Sequence, residues 1–307
     1  MLFTKAKGFV YRNARPLDLS LWRYFFEGGS KEDVLEMLAF YQNSDGGFGN
    51  ALEADMWNPN SIPMGVWKAT EVLANIGFTD AAHPLVKGIL SYLDSESGFD
   101  RDTRQWTYTM PTNNDYPHAI WWEHTGAPKE FNPNPNAALA GFILAYADKD
   151  STLYQKGCDL AVRSYNYMIE NFPVTEMHIV SCYIRLYEYC MQAGESRLFD
   201  LDTFREKIRQ MVDGSLCKDL EKWGKEYVAT PSTFIKSPQS FLYKGNEALI
   251  DKECQRIREQ QLEDGAFTVP WIWCTEYKEY EIAKNWWKTQ LIIEKLLYLK
   301  NFGQLEN

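Results

Sequence analysis

The feature that most constrains this chain is a seven-residue pattern that occurs twice. Gln42–Phe48 and Gln261–Phe267 share the pattern Q-x-x-D-G-x-F, and each copy follows an apolar helical segment. A third, weaker copy at Asp94–Phe99 is shortened and lacks the glutamine. Repeated helix pairs that cannot bury their apolar faces alone stack against their neighbours. The repeat therefore predicts a helical solenoid or a closed ring of helices.

The residue types in this pattern have a structural explanation. A glutamine at a helix end can hydrogen-bond backbone groups at the end of a neighbouring helix. Asp-Gly permits a tight turn, and the side chain of the phenylalanine that follows can pack this turn against the body of the domain. We therefore interpret the pattern first as a structural turn rather than as a catalytic motif.

Helical periodicity covers most of the chain. Between Ser61 and Gly77 the apolar residues recur every three or four positions, with Ser61 as the expected N-cap and Gly77 as the expected stop. No run alternates like a β-strand, so the sequence predicts an all-α fold. Similar periods predict further helices at about 31–42, 81–94, 136–148, 152–171, 175–193, 202–213, 246–262 and 280–300.

The repeats resemble the QW repeats of the terpenoid cyclases, which share a superfamily with the protein prenyltransferases. Gln42–Phe48 and Gln261–Phe267 carry the resemblance, with phenylalanine where those enzymes usually have tryptophan. The resemblance implies an α/α toroid, a ring of alternating inner and outer helices, formed by one domain over residues 1–307. It also implies that the motif loops share one end of the ring with the amino termini of the inner helices.

Charge and composition exclude several classes of partner. Asp and Glu outnumber Lys and Arg by 42 to 32, and the net charge is −10. Since no basic run could contact phosphates, neither nucleic acid nor an anionic membrane surface is an expected partner. No stretch approaches the ~20 apolar residues of a membrane span. The first sixteen residues lack the apolar core of a signal peptide, and the six cysteines form no CxxC pair, so we expect a cytoplasmic protein with free thiols.

If the resemblance holds, three segments form the mouth of a ligand pocket: Asp45–Ser61, Gly98–Pro135 and Asp264–Glu281. The middle segment is long, rich in Pro, Asn and aromatic residues, and has no evident helix. Loops of this length in a compact domain are usually functional, so we interpret it as a lid or pocket wall. The residues expected to bind the ligand are Trp57, Trp106, Trp121, Trp122, Trp271, Trp273, Glu276 and Tyr277.

The candidate catalytic residues are Glu53, Asp55 and His118. Paired carboxylates could serve as general acid and base, and a histidine beside an aromatic pocket could donate a proton or a hydrogen bond. The alternative is that the carboxylates cap the helix that starts near Ser61 or pair with a neighbouring Arg. The spacing of His118 and His124 is not that of a helical zinc site, so no metal and no cofactor is predicted.

Three functions from different classes remain open at this stage. The D-x-D-D acid motif and the D-D-x-x-D magnesium motif of the cyclase group are absent, and its zinc ligands cannot be assigned; Glu53-Ala-Asp55 is the nearest match. The first function is chemistry on, or binding of, an isoprenoid-like ligand in an aromatic pocket. The second is a carbohydrate-active hydrolase, lyase or epimerase that uses paired carboxylates. The third is a non-catalytic toroid that binds a small molecule or a protein.

Overall fold

The computed structural model describes residues 2–306, and this part of the chain is mostly helical, as the sequence predicts. Two short strands, β1 (Phe99–Asp100) and β2 (Gln105–Trp106), pair in antiparallel fashion. The helices are α1 (Leu2–Asn13), α2 (Pro16–Phe26), α3 (Lys31–Ala39), α4 (Pro63–Asn75), α5 (Pro84–Asp94), α6 (Pro133–Tyr146), α7 (Thr152–Glu170), α8 (Met177–Ala193), α9 (Leu201–Ser215), α10 (Pro231–Phe234), α11 (Glu247–Glu259) and α12 (Tyr280–Asn301).

Every helix predicted from the apolar period is present, and three further helices, α1, α2 and α10, were not predicted. The N-cap prediction for Ser61 is wrong. Helix α4 begins at Pro63, and the capping position is Ile62, which has no capping side chain. The Ser61 hydroxyl instead donates to Asp45 Oδ1 at 2.6 Å. This bond ties the residue two positions before α4 to the first repeat turn.

The chain divides into two compact units. Unit 1 comprises Met1–Leu38 and Leu216–Asn307, and unit 2 comprises Ala39–Ser215. In unit 1 the long helix α12 packs against α1, α2 and α11. Because α12 buries residues such as Ile292, Leu296 and Leu299 along its length, it forms the core of this unit.

Unit 2 is built around α6. Thirteen of the fourteen residues of this helix are buried, and it packs against α4, α5, α7 and α8. A helix that is apolar on all sides belongs in the middle of a domain. Gly141 allows the close approach, since a Cβ there would lie 3.0 Å from the Leu186 backbone of α8.

The two repeat turns have the same hydrogen bonds. Gln42 Nε2 donates to the carbonyl of Gly46 (2.9 Å), and Gln261 Nε2 donates to that of Gly265 (3.0 Å). Each glutamine also reaches a carbonyl in the first turn of another helix, Leu85 O in α5 (3.1 Å) or Leu2 O in α1 (2.9 Å). The structural interpretation of the pattern is thus confirmed for its two complete copies.

The phenylalanines of these turns pack as the sequence predicts. Phe48 is fully buried and Phe267 is 2% exposed. The shortened third copy differs, because Phe99 lies in β1 and is only half-buried. Among residues 2–306, no helix combines the length and the apolar character that crossing a membrane requires.

Candidate functional site

The first candidate catalytic residues lie in the acidic loop, which we define as residues 49–61 of unit 2. Asn50 and Ala51 adopt positive φ angles of 55° and 58°, which non-glycine residues rarely do. Such backbone strain is often found where a loop is held in shape for function. The turn buries the two acidic side chains that follow: Glu53 is 7% exposed and Asp55 is 3% exposed.

Glu53 has a basic partner that sequence reasoning did not identify. Lys68 Nζ, from helix α4, lies 3.3 Å from Glu53 Oε2. The lysine side chain is 20% exposed and the glutamate side chain 8% exposed, so the pair is largely shielded from water. The only available sequence signal was the position of Lys68 on α4.

Backbone pairing joins the acidic loop to the long segment that contains His118. The three residues from Asp55 run antiparallel to the three residues that end at Ala119. The contacts are a bridge between Met56 and His118, a bond from Trp57 N to Pro117 O (2.9 Å) and a bond from Ala119 N to Asp55 O (2.9 Å). Asp55 and His118, far apart in sequence, therefore lie on paired backbone segments, and Glu53 lies two residues before Asp55.

The orientation of the His118 ring follows from one short hydrogen bond. His118 Nδ1 lies 2.6 Å from the Tyr116 carbonyl oxygen. A carbonyl can only accept, so Nδ1 carries the proton, and in the neutral imidazole Nε2 is the accepting nitrogen. The side chain is 5% exposed, so the imidazole, like the two carboxylates, is largely removed from water.

A buried amide cluster lies next to the acidic loop. Asn58 Nδ2 donates to Thr112 Oγ1 (2.9 Å) and to Asn113 Oδ1 (3.0 Å). Asn113 Nδ2 in turn donates to the Trp122 carbonyl (3.0 Å). Both asparagines are fully buried. The cluster ties the acidic loop to the segment around Asn113 and was not predicted, since isolated asparagines in loops carry no distinctive sequence signal.

The four predicted ligand tryptophans of unit 2 divide into core and surface residues. Trp106 and Trp122 are 1% and 5% exposed, so both serve as core, whereas Trp121 is 37% exposed. Trp57 is half-buried, and its Nε1 donates to the Ala54 carbonyl at 2.9 Å. Within residues 2–306, the buried indole N–H groups of Trp106 and Trp122 have no hydrogen-bond acceptor.

The remaining predicted ligand residues lie in unit 1. Trp273 is buried, Trp271 and Tyr277 are half-buried, and Glu276 is exposed. Trp271 makes an edge-to-face contact with Trp287, with ring centroids 5.0 Å apart. The participation of these four residues in a common pocket with the acidic loop stays a prediction.

No metal site can be assembled from the described residues. Between residues 2 and 306 no three His, Cys, Asp or Glu side chains lie close enough to share an ion. No protein-family model, curated protein or solved structure matches the chain. The function must therefore be inferred from the chemistry of the acidic loop and its neighbours.

Proposed function

We propose that the protein is an enzyme in which Glu53, Asp55 and His118 carry out acid–base chemistry on a small, hydroxyl-bearing ligand of the carbohydrate class. The observation that carries the proposal is the backbone pairing that brings two buried carboxylates and a buried imidazole onto adjacent segments. Burying charged and polar groups is costly unless they are paired or used. A role in chemistry is a reason to retain three such groups on these neighbouring segments.

The surroundings suggest different roles for the two carboxylates. Glu53, paired with Lys68, is suited to accept a proton. The acid role then belongs to Asp55, since two carboxylates in different environments commonly divide the two functions. His118, fixed through Nδ1, would present an accepting Nε2 that can orient or relay a proton.

The choice of a hydroxyl-bearing ligand rests on the mixed character of the acidic loop. This loop contains two carboxylates, Glu53 and Asp55, together with the half-buried indole of Trp57. Indole faces stack on sugar rings and carboxylates accept hydrogen bonds from sugar hydroxyls, whereas a bare hydrocarbon makes no use of a carboxylate. The fully buried amides of Asn58 and Asn113 are bonded within the protein, so they support the loop rather than contact the ligand.

An isoprenoid-like ligand is the second candidate, in a protein with the toroid fold of the terpenoid cyclases. This candidate rests on the sequence resemblance of the two repeats, whose turns share their hydrogen bonds with each other. The exposed face of Trp121 and the stacked rings of Tyr108 and Trp122, 4.9 Å apart, would suit a hydrocarbon or a developing positive charge. A protein that only binds such a ligand would keep these aromatic contacts and need no carboxylate.

A thermal-shift screen against short oligosaccharides and against isoprenoids with their diphosphates tests the proposal. A ligand at 100 times its Kd adds roughly 2.7 kcal/mol, which raises the melting temperature of a chain of this size by a few degrees. We expect a rise with oligosaccharides only. A rise with isoprenoids only would overturn the carbohydrate assignment, and no rise with either panel would favour a protein partner.

Activity on the ligand found by this screen then tests the catalytic roles. Asp55→Asn and Glu53→Gln should each reduce kcat by about 100-fold or more, because general acid–base catalysis contributes on that order. Asp115→Asn is the matched control, since Asp115 is an exposed acid three positions before His118. Full activity in both acidic-loop variants would show that the carboxylates are structural.

A further inference from the structure

Unit 1 contains a cavity of about 130 Å³ beside the second repeat turn. Benzene fits an engineered cavity of about 150 Å³, so a molecule of a few non-hydrogen atoms can enter this one. The cavity is lined by Gly224, Lys225, Gln260, Phe267, Thr268 and Lys295. None of these residues was expected from the sequence to bind a ligand. Phe267 was expected only to pack the repeat turn.

Lys295 is the reactive group of the cavity. Its Nζ lies 5.3 Å from the centre of the Phe267 ring. Within residues 2–306 it makes neither a hydrogen bond nor an ion pair closer than 4 Å. Burial lowers the pKa of Lys295, although the carboxylates of Glu253 and Glu294 act in the opposite direction.

The nearest buried carboxylate is already engaged elsewhere. Glu253 is 3% exposed and accepts from Thr230 Oγ1 (2.5 Å), Ser232 N (2.7 Å) and Ser232 Oγ (2.6 Å). These bonds hold Glu253 at the start of α10, where it completes the cap of that helix. Among residues 2–306, Lys295 therefore has no dedicated counter-ion, a state that favours the neutral form of an amine.

A neutral amine beside an aromatic wall is suited to carbonyl chemistry. The other lysine of the cavity, Lys225, is exposed and has Nζ 3.3 Å from Glu221 Oε2, so it does not turn the cavity into an anion site. We propose that the cavity binds a small aldehyde, which Lys295 holds as a reversible imine. The ligand class is an uncharged carbonyl compound with a short apolar chain that packs on Phe267.

The reaction balances without any further reagent. The lone pair of Lys295 Nζ attacks the carbonyl carbon, the carbonyl π electrons move to oxygen, and a proton passes from nitrogen to oxygen. The resulting carbinolamine loses water to give the imine, and addition of water reverses the sequence. Oxidation states do not change.

Reductive trapping of the whole protein tests this proposal. The protein is incubated at pH 7 with limiting propanal and sodium cyanoborohydride, which converts an imine to a stable propylamine, and the labelled lysines are identified by peptide mass spectrometry. We expect Lys295 to be labelled several-fold faster than Lys252, an exposed lysine of α11, because a lowered pKa leaves more of the amine unprotonated at pH 7.

Two variants complete the experiment. Lys225→Met should keep the fast labelling, and Lys295→Met should lose it while its circular dichroism spectrum stays that of a folded helical protein. Labelling of Lys295 at the rate of Lys252, or more slowly, would overturn the proposal. Because the decisive comparison is made on the unchanged protein, it does not depend on the folding of any variant.

Discussion

Met56 and His118 lie opposite each other in an antiparallel bridge, and this contact sets the geometry of the candidate site. Side chains alternate along paired backbone, so the side chains of Asp55 and Trp57 point to the face opposite to those of Met56 and His118. The acidic loop and the His118 segment are thereby held as one piece of structure.

The ion pair of Glu53 and Lys68 should show measurable coupling. Because both side chains are largely buried, we expect Lys68→Met and Glu53→Gln to destabilise the protein, by about 2 kcal/mol each. The double variant should recover part of the loss, which corresponds to a coupling of about 1 kcal/mol in a double-mutant cycle. Urea denaturation measures all four proteins. Strictly additive losses would show that the two charges do not interact.

The repeat turns should be intolerant of a methyl group at their glycines. Gly46 and Gly265 have φ angles of 85° and 95°, and an added Cβ would lie 2.1 Å from Gly88 O or 2.2 Å from Lys5 O. Each glycine-to-alanine change should cost more than about 2 kcal/mol in unfolding free energy. Gly28→Ala is the matched control. Its φ is 74°, but no atom lies within 4 Å of the new Cβ, so only about 1 kcal/mol should be lost.

Equal losses at the three glycines would contradict this explanation. They would mean that the left-handed backbone conformation, which all three share, accounts for the whole effect. Chemical denaturation at one temperature is sufficient for the comparison, provided that the slope of the transition is unchanged.

Asn136 should be essential for anchoring the long segment. This fully buried side chain accepts from Trp106 N (2.8 Å) and donates to Trp106 O and Asn132 O (3.0 Å each). Asn136→Ala would leave buried backbone groups without partners, so we expect a loss of roughly 2 to 4 kcal/mol. Hydrogen exchange should show faster exchange at Trp106 N. Asn171→Ala, at an exposed helix end, should change stability by less than about 0.5 kcal/mol.

Glu195 should make unit 2 sensitive to acid. Hydrogen bonds from Arg197, followed by one from Tyr154, lower the pKa of Glu195 to about 2, below its ordinary value of 4.5. A carboxylate whose pKa is lower in the folded state stabilises it above the unfolded pKa. That stabilisation is therefore complete above about pH 5 and is lost as the pH falls from about 4.5 to 2.

The expected contribution of Glu195 at neutral pH is about 2 kcal/mol, less than the full pKa difference implies, because Arg197 is largely exposed and solvent screens the pair. Urea denaturation of the wild type and of Glu195→Gln at several pH values measures it. The two curves should converge towards pH 2. A gap that stays constant with pH would exclude the ionisation of Glu195 as its cause.

Helix positions and the repeat turns could be predicted from the sequence, because both depend on local rules. The apolar period of residues 61–77 reports which face of a helix is buried, and the Asp-Gly pair of each turn needs only a left-handed glycine. The same rules missed α2, whose start at Pro16 has no side-chain cap, and they misplaced the cap of α4 at Ser61. Glu53, Asp55 and His118 were selected as catalytic candidates by residue type and by their position in loops.

Only the tertiary structure decided which groups contact Glu53 and the His118 segment, and which lysine lines a cavity. That Lys68 faces Glu53, that Met56 pairs with His118, and that Lys295 lines a cavity without a counter-ion all depend on segments far apart in the chain. Such contacts result from packing, in which many weak interactions fix one arrangement. Local periodicity contains no information about them. The sequence by itself therefore determined the helices and their turns, whereas tertiary packing determined which polar groups are buried together and so which chemistry is available.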